Sequence, residues 1–280
     1  MESPSIDTAR LKENRLMEWL REQRSVLVGY SGGVDSTYLA VVAREALGRR
    51  NVLAVLGRSP SVPNDQSDKA LAVAAEWDID LRIVATGEVD DPRYAANPVN
   101  RCYFCKRVLW EVLIPIARTH GMMTVVDGTN ADDLTGYRPG ARAASDQAVA
   151  SPLALVGLTK VEIRELSRAR GLATWSQPSA PCLASRIPYG TPVTAERLAQ
   201  IDRAEQGLRA LGITGDLRVR DHDDLARVEL EPQLIDEWLL PDNTQRLVRA
   251  VRTAGFRRVA IDLRGFRSGS LNVLEGVVAA

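Results

Sequence analysis

Residues Val26-Leu-Val-Gly-Tyr-Ser-Gly-Gly-Val-Asp-Ser-Thr37 run from an apolar strand through a glycine turn straight into a helix, and this junction constrains the fold more than any other stretch of the chain. Gly32 and Gly33 let the backbone approach a bound anion without a Cβ clash. Ser31, Ser36 and Thr37 add hydroxyl donors, and the unpaired N–H groups and positive dipole end of the helix point to the same place. Such a cradle satisfies about four or five oxygens of a pyrophosphate. It is not the Walker loop, which needs Lys followed by Ser or Thr after the second glycine, and it lacks the GxGxxG of a dinucleotide fold. The competing reading is an ordinary strand-to-helix turn in which Asp35 and Ser36 merely cap the helix.

The rest of the chain repeats the same alternation. Residues 7–22 are amphipathic, with Leu11, Met17, Trp19 and Leu20 set among charges. Strands are expected at 26–30, 52–56, 81–84 and 123–126, with helices at 36–47, 65–77 and 103–119 between them. Near-continuous apolar strands alternating with helices imply an α/β fold whose parallel sheet is covered on both faces. Ligands of such sheets bind beyond the carboxyl ends of the strands, where residues 31–36 and 127–133 both fall. The Pro-rich stretch 177–192 breaks the pattern. Beyond it, helices at 195–211 and 243–254 and short strands at 217–220, 227–230 and 259–263 make a smaller C-terminal α+β domain. The expected division is therefore 1–185 and 186–280.

Charge and composition narrow the partners. Lys plus Arg and Asp plus Glu each number 36 in 280 residues, a formal net charge of zero, which gives no general support for nucleic-acid binding. No apolar run reaches the length of a membrane span, and Met1-Glu-Ser-Pro-Ser lacks a signal segment, so a cytoplasmic protein without membrane contact is expected. Three cysteines are an odd number, and in a reducing compartment they point to chemistry more than to structure.

Two further groups of residues stand out. Asp127-Gly-Thr-Asn-Ala-Asp-Asp133 follows a strand: Gly128 permits a tight turn, and Asn130, Asp132 and Asp133 suit magnesium or ribose contacts or, equally, a capped helix start. Nearby, Arg138 and Arg142 in Tyr137-Arg-Pro-Gly-Ala-Arg142 are placed to neutralise a polyphosphate or to lie on solvated surface. Cys102 and Cys105 form a Cys-x-x-Cys pair, and the third thiol is Cys182. The pair by itself fits a zinc half-site, a redox disulfide, an iron–sulfur ligand pair or simple burial. Three thiolates do not close a structural zinc site unless His120 or His222 joins them, whereas a [4Fe–4S] cluster can be held by three with one iron open.

Ser-Gly-Gly-Val-Asp-Ser resembles the signature of the PP-loop ATP pyrophosphatases, which split ATP into AMP and pyrophosphate. The resemblance implies an adenine nucleotide alpha hydrolase-like, Rossmann-like domain in which Ser31, Gly32, Gly33, Val34, Asp35 and Ser36, with Gly128 and Asn130, bind ATP. It also implies Asp35 as a ligand of Mg2+ bridging the phosphates. Taken with Gly-Thr-Asn-Ala-Asp-Asp, Arg-Cys-Tyr-Phe-Cys-Lys, Pro-Ser-Ala-Pro-Cys-Leu-Ala-Ser-Arg-Ile-Pro-Tyr-Gly and Arg267-Ser-Gly-Ser-Leu-Asn272, the chain is similar along essentially its whole length to the LarE family of ATP-dependent sulfur transferases. That family helps build the nickel-pincer nucleotide cofactor of lactate racemase.

What this implies is adenylation of a carboxylate of pyridinium-3,5-biscarboxylic acid mononucleotide, release of pyrophosphate, and attack of sulfur on the acyl adenylate to give a thiocarboxylate. Family members with one cysteine matching Cys182 sacrifice its sulfur and keep dehydroalanine. Members with three resemble cluster enzymes, in which a sulfide on the open iron of a [4Fe–4S] cluster is transferred. Cys102 and Cys105 favour the cluster version here, and Cys182 is catalytic in both. Arg186 is expected to hold the mononucleotide phosphate near the sulfur. Arg218 and Arg220, on one face of a strand by period-two alternation, carry over the family's phosphate contacts. His222 reads as an exposed polar residue. The family's habits imply a homo-oligomer and other proteins of the same cofactor synthesis as partners. Rival readings are a tRNA thiolase, an NAD synthetase and a non-catalytic nucleotide-binding protein.

Overall fold

The computed structural model describes residues 6–135, 139–178 and 181–267. In chain order the elements are α1 (Ile6–Gln23), β1 (Val26–Tyr30), α2 (Val34–Leu47), β2 (Val52–Arg58), α3 (Asn64–Glu76), β3 (Leu81–Ala85) and α4 (Pro92–Ala95). Next come α5 (Arg101–Thr119), β4 (Thr124–Val126), α6 (Pro139–Asp146), α7 (Pro152–Leu155), α8 (Lys160–Ala169) and α9 (Ala195–Ala210). The last elements among the described residues are β5 (Leu217–His222), β6 (Leu225–Leu230), α10 (Ile235–Trp238), α11 (Pro241–Thr253) and β7 (Arg258–Ile261). Among the described residues no helix is long and apolar enough to cross a membrane.

The chain groups into two compact units. One takes Met1–Ser59, Asn64–Glu88 and Asn100–Ala180, the other Pro60–Pro63, Val89–Val99 and Pro181–Ala280. In the first, four parallel strands lie in the order β3-β2-β1-β4, as the α/β reading requires. Side chains alternate across the sheet with period two. Val26, Val28 and Tyr30 of β1 pack with Val52, Ala54 and Leu56 of β2 under α1, α2 and α8. Leu27, Leu53 and Val55 meet Trp110, Leu113 and Ala117 of α5 on the other face. Gly29 exists because Trp110 lies on it: a Cβ there would come within 2.7 Å of the indole. Full burial of a side chain of that size contributes roughly 1.5–3 kcal/mol.

One expectation is only partly met. β1 and β2 are buried on both faces, but β3 is an edge strand with most of its residues exposed, because no neighbour covers its outer side in the four-strand order. A helix that apolar periodicity did not announce, α8, carries a capping box: the Thr159 hydroxyl accepts from the Glu162 N–H, and the Glu162 carboxylate accepts from the Thr159 N–H.

The second unit holds a three-strand sheet in the order β5-β6-β7, with β5 and β6 antiparallel and β6 and β7 parallel. Asp223 and Asp224 turn the hairpin, with Asp223 at φ +62° in the left-handed region that a tight hairpin turn demands. The buried side chains Leu198, Ile201 and Leu208 of α9, Leu247 and Val251 of α11 and Val219 and Val228 of the sheet belong to its interior.

Candidate active site

The turn after β1 is built for close approach. Gly32 has φ +73°, and a Cβ on it would lie 2.4 Å from the Cβ of Ala70 in α3, so both the backbone conformation and the space require glycine. Gly32→Ala is expected to destabilise the first unit by about 1–3 kcal/mol, through overpacking and a disfavoured φ, and to weaken nucleotide binding with it. Thermal unfolding with and without ATP measures both.

Gly33 is the N-cap of α2 and has no side-chain cap, so the leading N–H groups of the helix are left to a ligand or water. The Ser36 hydroxyl braces the turn by accepting from the Ser31 N–H at 3.2 Å, sharing a bond with Ser31 Oγ at 3.0 Å and donating to the Gly33 carbonyl at 3.2 Å. Thr37 differs from the sequence expectation. It is fully buried, and its hydroxyl donates to Tyr30 Oη, so it adds nothing to the cradle.

Asp35, in the first turn of α2, faces Lys160 at the start of α8, with Lys160 Nζ 2.5 Å from Asp35 Oδ2. The other oxygen, Oδ1, is buried without a hydrogen-bond partner among the described residues. Burial pushes the Asp35 carboxyl above its ordinary value, and the bond from Lys160 offsets this only in part. A half-buried carboxylate with one orphaned oxygen, beside an uncapped helix start, is the donor a phosphate-bound Mg2+ needs. Lys160 is itself located by α8: its N–H donates to Asp132 Oδ2 at 2.7 Å, while Lys12 of α1 holds the buried Glu162 at 2.7 Å. Sequence reasoning missed Lys160. The available signal was Thr159-Lys-Val-Glu162, a capping-box pattern that places a lysine on the first turn of a helix.

The loop after β4 lies flush against this helix start. A Cβ on Gly128 would stand 2.9 Å from the Ser36 nitrogen. Asp127 is tied by the Thr129 N–H at 3.1 Å, the Thr129 hydroxyl at 2.9 Å and the Ser151 hydroxyl at 2.8 Å. Asn130 is buried, and its Oδ1 accepts from the N–H groups of Asp132 and Asp133 at 2.9 and 3.3 Å, the capping role that composition also allowed. Arg142 is exposed on α6; Tyr137 and Arg138 lie outside the described residues.

Cys102 and Cys105 sit in the first two turns of α5, Cys102 exposed and Cys105 half-buried. Beside them Lys106 stands over the Trp110 ring at 5.3 Å, and Tyr103 donates to Asp146 at 2.9 Å. Cys182 is half-buried in the second unit, immediately before the helical turn Leu183–Arg186. Three accessible thiols are the donor set that a [4Fe–4S] cluster with an open iron requires. Among the described residues, however, no three His, Cys, Asp or Glu side chains stand grouped as a metal site.

Around Cys182 the second unit buries three arginines. Arg186 makes a two-pronged pair with Glu205 at 2.9 and 2.8 Å, and its third nitrogen donates to the carbonyls of Pro181 and Cys182 at 2.7 and 3.1 Å. Its donors are thus engaged in fixing the backbone on both sides of the thiol. Arg220 pairs with Glu229 at 2.7 Å and donates to the Ser185 carbonyl at 2.8 Å. Arg218 shares the face of β5 with Arg220, as alternation requires, and lies over the Phe266 ring at 4.8 Å. Its guanidinium is lowered to about 10, first by burial and next by the positive charge of Arg186. A cation depressed in this way gains from an incoming anion more than a solvated one would.

A PP-loop at the carboxyl end of a central parallel strand, with Asp35 in the first turn of its helix and Lys160 reaching it from the start of α8, defines an enzyme that works on ATP. The sequence model of the NAD synthase family matches residues 13–188, and the chain belongs to this PP-loop family. An uncharacterized protein of Synechocystis sp. is 42% identical over 261 residues, 93% of this chain and 97% of that protein. The pyridinium-3,5-bisthiocarboxylic acid mononucleotide synthase of Lactiplantibacillus plantarum is 35% identical over 265 residues, 95% of each chain. The NH(3)-dependent NAD(+) synthetase of Pyrobaculum aerophilum is 33% identical over 168 residues, but only 57% of this chain and 61% of that protein are covered. Within the PP-loop enzymes, this one is a LarE-like ATP-dependent sulfur transferase.

Proposed function

We propose that the enzyme adenylates a carboxylate of pyridinium-3,5-biscarboxylic acid mononucleotide and replaces a carboxylate oxygen by sulfur at Cys182. The observation that carries this reading is the group of buried arginines around Cys182: Arg186 fixes the thiol's backbone, and Arg218 and Arg220 offer positive charge to a substrate phosphate.

In the first half-reaction a carboxylate oxygen attacks the α phosphorus of ATP, the bond to the β phosphate breaks, and pyrophosphate leaves with the electron pair. Ser31 to Ser36 and the uncapped start of α2 hold the departing phosphates. Asp35 would hold Mg2+, which supplies charge neutralisation of the pyrophosphate as it leaves. Lys160, paired with Asp35 at the start of α2, would add positive charge beside the phosphates. Gly128 and Asn130 line the nucleotide's other side.

In the second half-reaction sulfur attacks the acyl carbon and AMP leaves. If Cys182 is the donor, its thiolate forms a thioester. Loss of the Cys182 α-proton to a base then breaks the Cβ–S bond, releasing the thiocarboxylate and leaving dehydroalanine. The presence of Cys102 and Cys105 favours the other route: these two thiolates and Cys182 would be the ligands of a [4Fe–4S] cluster, which would supply a sulfide in place of the Cys182 sulfur.

The test is anaerobic incubation of the purified protein with ATP, Mg2+ and the mononucleotide, followed by assay of AMP, pyrophosphate and thiocarboxylate. Absence of AMP and pyrophosphate with this substrate, together with salt-sensitive tRNA binding, overturns the reading in favour of a tRNA thiolase. Cys102→Ser separates the sulfur routes. With a cluster, iron content and thiocarboxylate yield fall together. With sacrificial donation, one equivalent of product still forms and Cys182 becomes dehydroalanine by mass spectrometry.

A further inference from the structure

Two short stretches that interrupt the first unit in sequence fold with the second: Pro60–Pro63, and Val89–Val99, which carries α4. Both close on the backbone around Cys182. The peptide group that joins Cys182 to Leu183 is held at both of its polar ends. Its carbonyl accepts from Arg186 Nη1 at 3.1 Å and from the Ser185 N–H at 3.0 Å, and its N–H donates to the Ser61 carbonyl at 2.8 Å. Ser61 is itself buried, and its hydroxyl shares a 2.7 Å hydrogen bond with the hydroxyl of Tyr94, a buried residue of α4. Three residues further on, the buried Asn97 side chain donates to the carbonyls of Pro188 at 2.7 Å and Thr191 at 2.9 Å. The stretch bearing Tyr94 is thus fastened to the chain that follows the thiol as well.

We propose that Tyr94 is a positioning residue for sulfur transfer, acting on Cys182 through Ser61. A peptide group fixed at its carbonyl alone can still pivot about that bond, whereas a second bond at its N–H sets the direction in which the Cys182 side chain leaves the backbone. Arg186 supplies the first restraint by a charge-assisted bond. The Ser61 carbonyl supplies the second, and the buried hydroxyl pair holds Ser61 in place, because a hydroxyl stripped of water is costly to leave without its partner. Attack of sulfur on an acyl carbon tolerates a misplacement of only about 1 Å before the rate falls steeply. Every residue in this chain of contacts belongs to the second unit, whereas the phosphate seat belongs to the first. The inference rests on the sulfur-transfer reading above for its chemical consequence, and its test separates the two.

Tyr94→Phe, Ser61→Ala and the double variant are compared with wild type as full-length proteins. With the mononucleotide present, Tyr94→Phe is expected to exchange pyrophosphate into ATP as wild type does. In a single turnover it is expected to form thiocarboxylate about 3- to 10-fold more slowly, the loss that one buried hydrogen bond accounts for. Ser61→Ala is expected to match it, and the double variant to be no slower than either single one, because all three lack the same contact. The Leu183 amide is expected to exchange hydrogen faster in Tyr94→Phe while the α2 amides stay unchanged, a result that needs no turnover. Unchanged Leu183 exchange, unchanged sulfur transfer, additive losses in the double variant, or equal loss of both half-reactions overturns the role of Tyr94. Absence of thiocarboxylate from the wild type strikes instead at the sulfur-transfer reading, and the Leu183 amide then decides the contact by itself.

Discussion

Cys182→Ser is expected to leave ATP–pyrophosphate exchange near the wild-type rate and to abolish thiocarboxylate formation. The two half-reactions use different atoms. Adenylation needs a seated triphosphate and a carboxylate oxygen, and every residue assigned to that seat belongs to the first unit. Sulfur transfer needs a polarisable nucleophile, and a serine hydroxyl near its ordinary ionisation is a far weaker one than a thiolate. The acyl adenylate should therefore accumulate or hydrolyse slowly. The measurement is paired: exchange of labelled pyrophosphate into ATP, and mass analysis of the nucleotide product. Loss of exchange in Cys182→Ser, with an unchanged unfolding temperature, would place the thiol in the adenylation step and refute this division of labour.

Asp35→Asn carries the second large effect. The amide keeps the size of the side chain but removes the anionic ligand offered to Mg2+, so exchange is expected to fall by about 100- to 1000-fold. Stability should respond differently. Burial raises the Asp35 carboxyl above its unfolded value, so the folded protein holds that proton more tightly than the unfolded chain. This contribution is present at low pH and is lost as pH rises from the ordinary aspartate value through the raised one. At neutral pH, where the ionised carboxylate costs stability, an Asn is expected to unfold at the same temperature as wild type or slightly higher. Activity lost without stability lost would mark Asp35 as a residue kept for function. The same shift sets a pH limb: exchange should rise as pH climbs through the raised Asp35 value, and this limb should be missing from the residual activity of Asp35→Asn.

Some of the site was legible residue by residue. The apolar run ending at Tyr30, the glycines that follow and the hydroxyls beyond them state a strand, a tight turn and a helix start by local rules alone. Arg218 and Arg220 could be placed on one face because strand alternation needs no tertiary information. Thr37 could not. A hydroxyl next to a phosphate loop reads as a donor, and only the packing of Tyr30 against it shows that it faces the core. Arg186 was foreseen near Cys182, but its partners were not: Glu205 lies nineteen residues away on α9, and no local pattern joins them.

By itself, the sequence determined the strand-helix alternation, the parallel sheet, the phosphate loop and the cysteine inventory, because each depends on residues close together in the chain. Only the tertiary structure decided that Lys160 meets Asp35, that an Asp35 oxygen is left without a partner, that Gly128 lies against the start of α2, and that Arg186 turns its donors onto the Cys182 backbone. These are encounters between segments as many as 125 residues apart. Their energies come from burial and from the mutual exclusion of water, quantities that do not exist until the chain has closed around them.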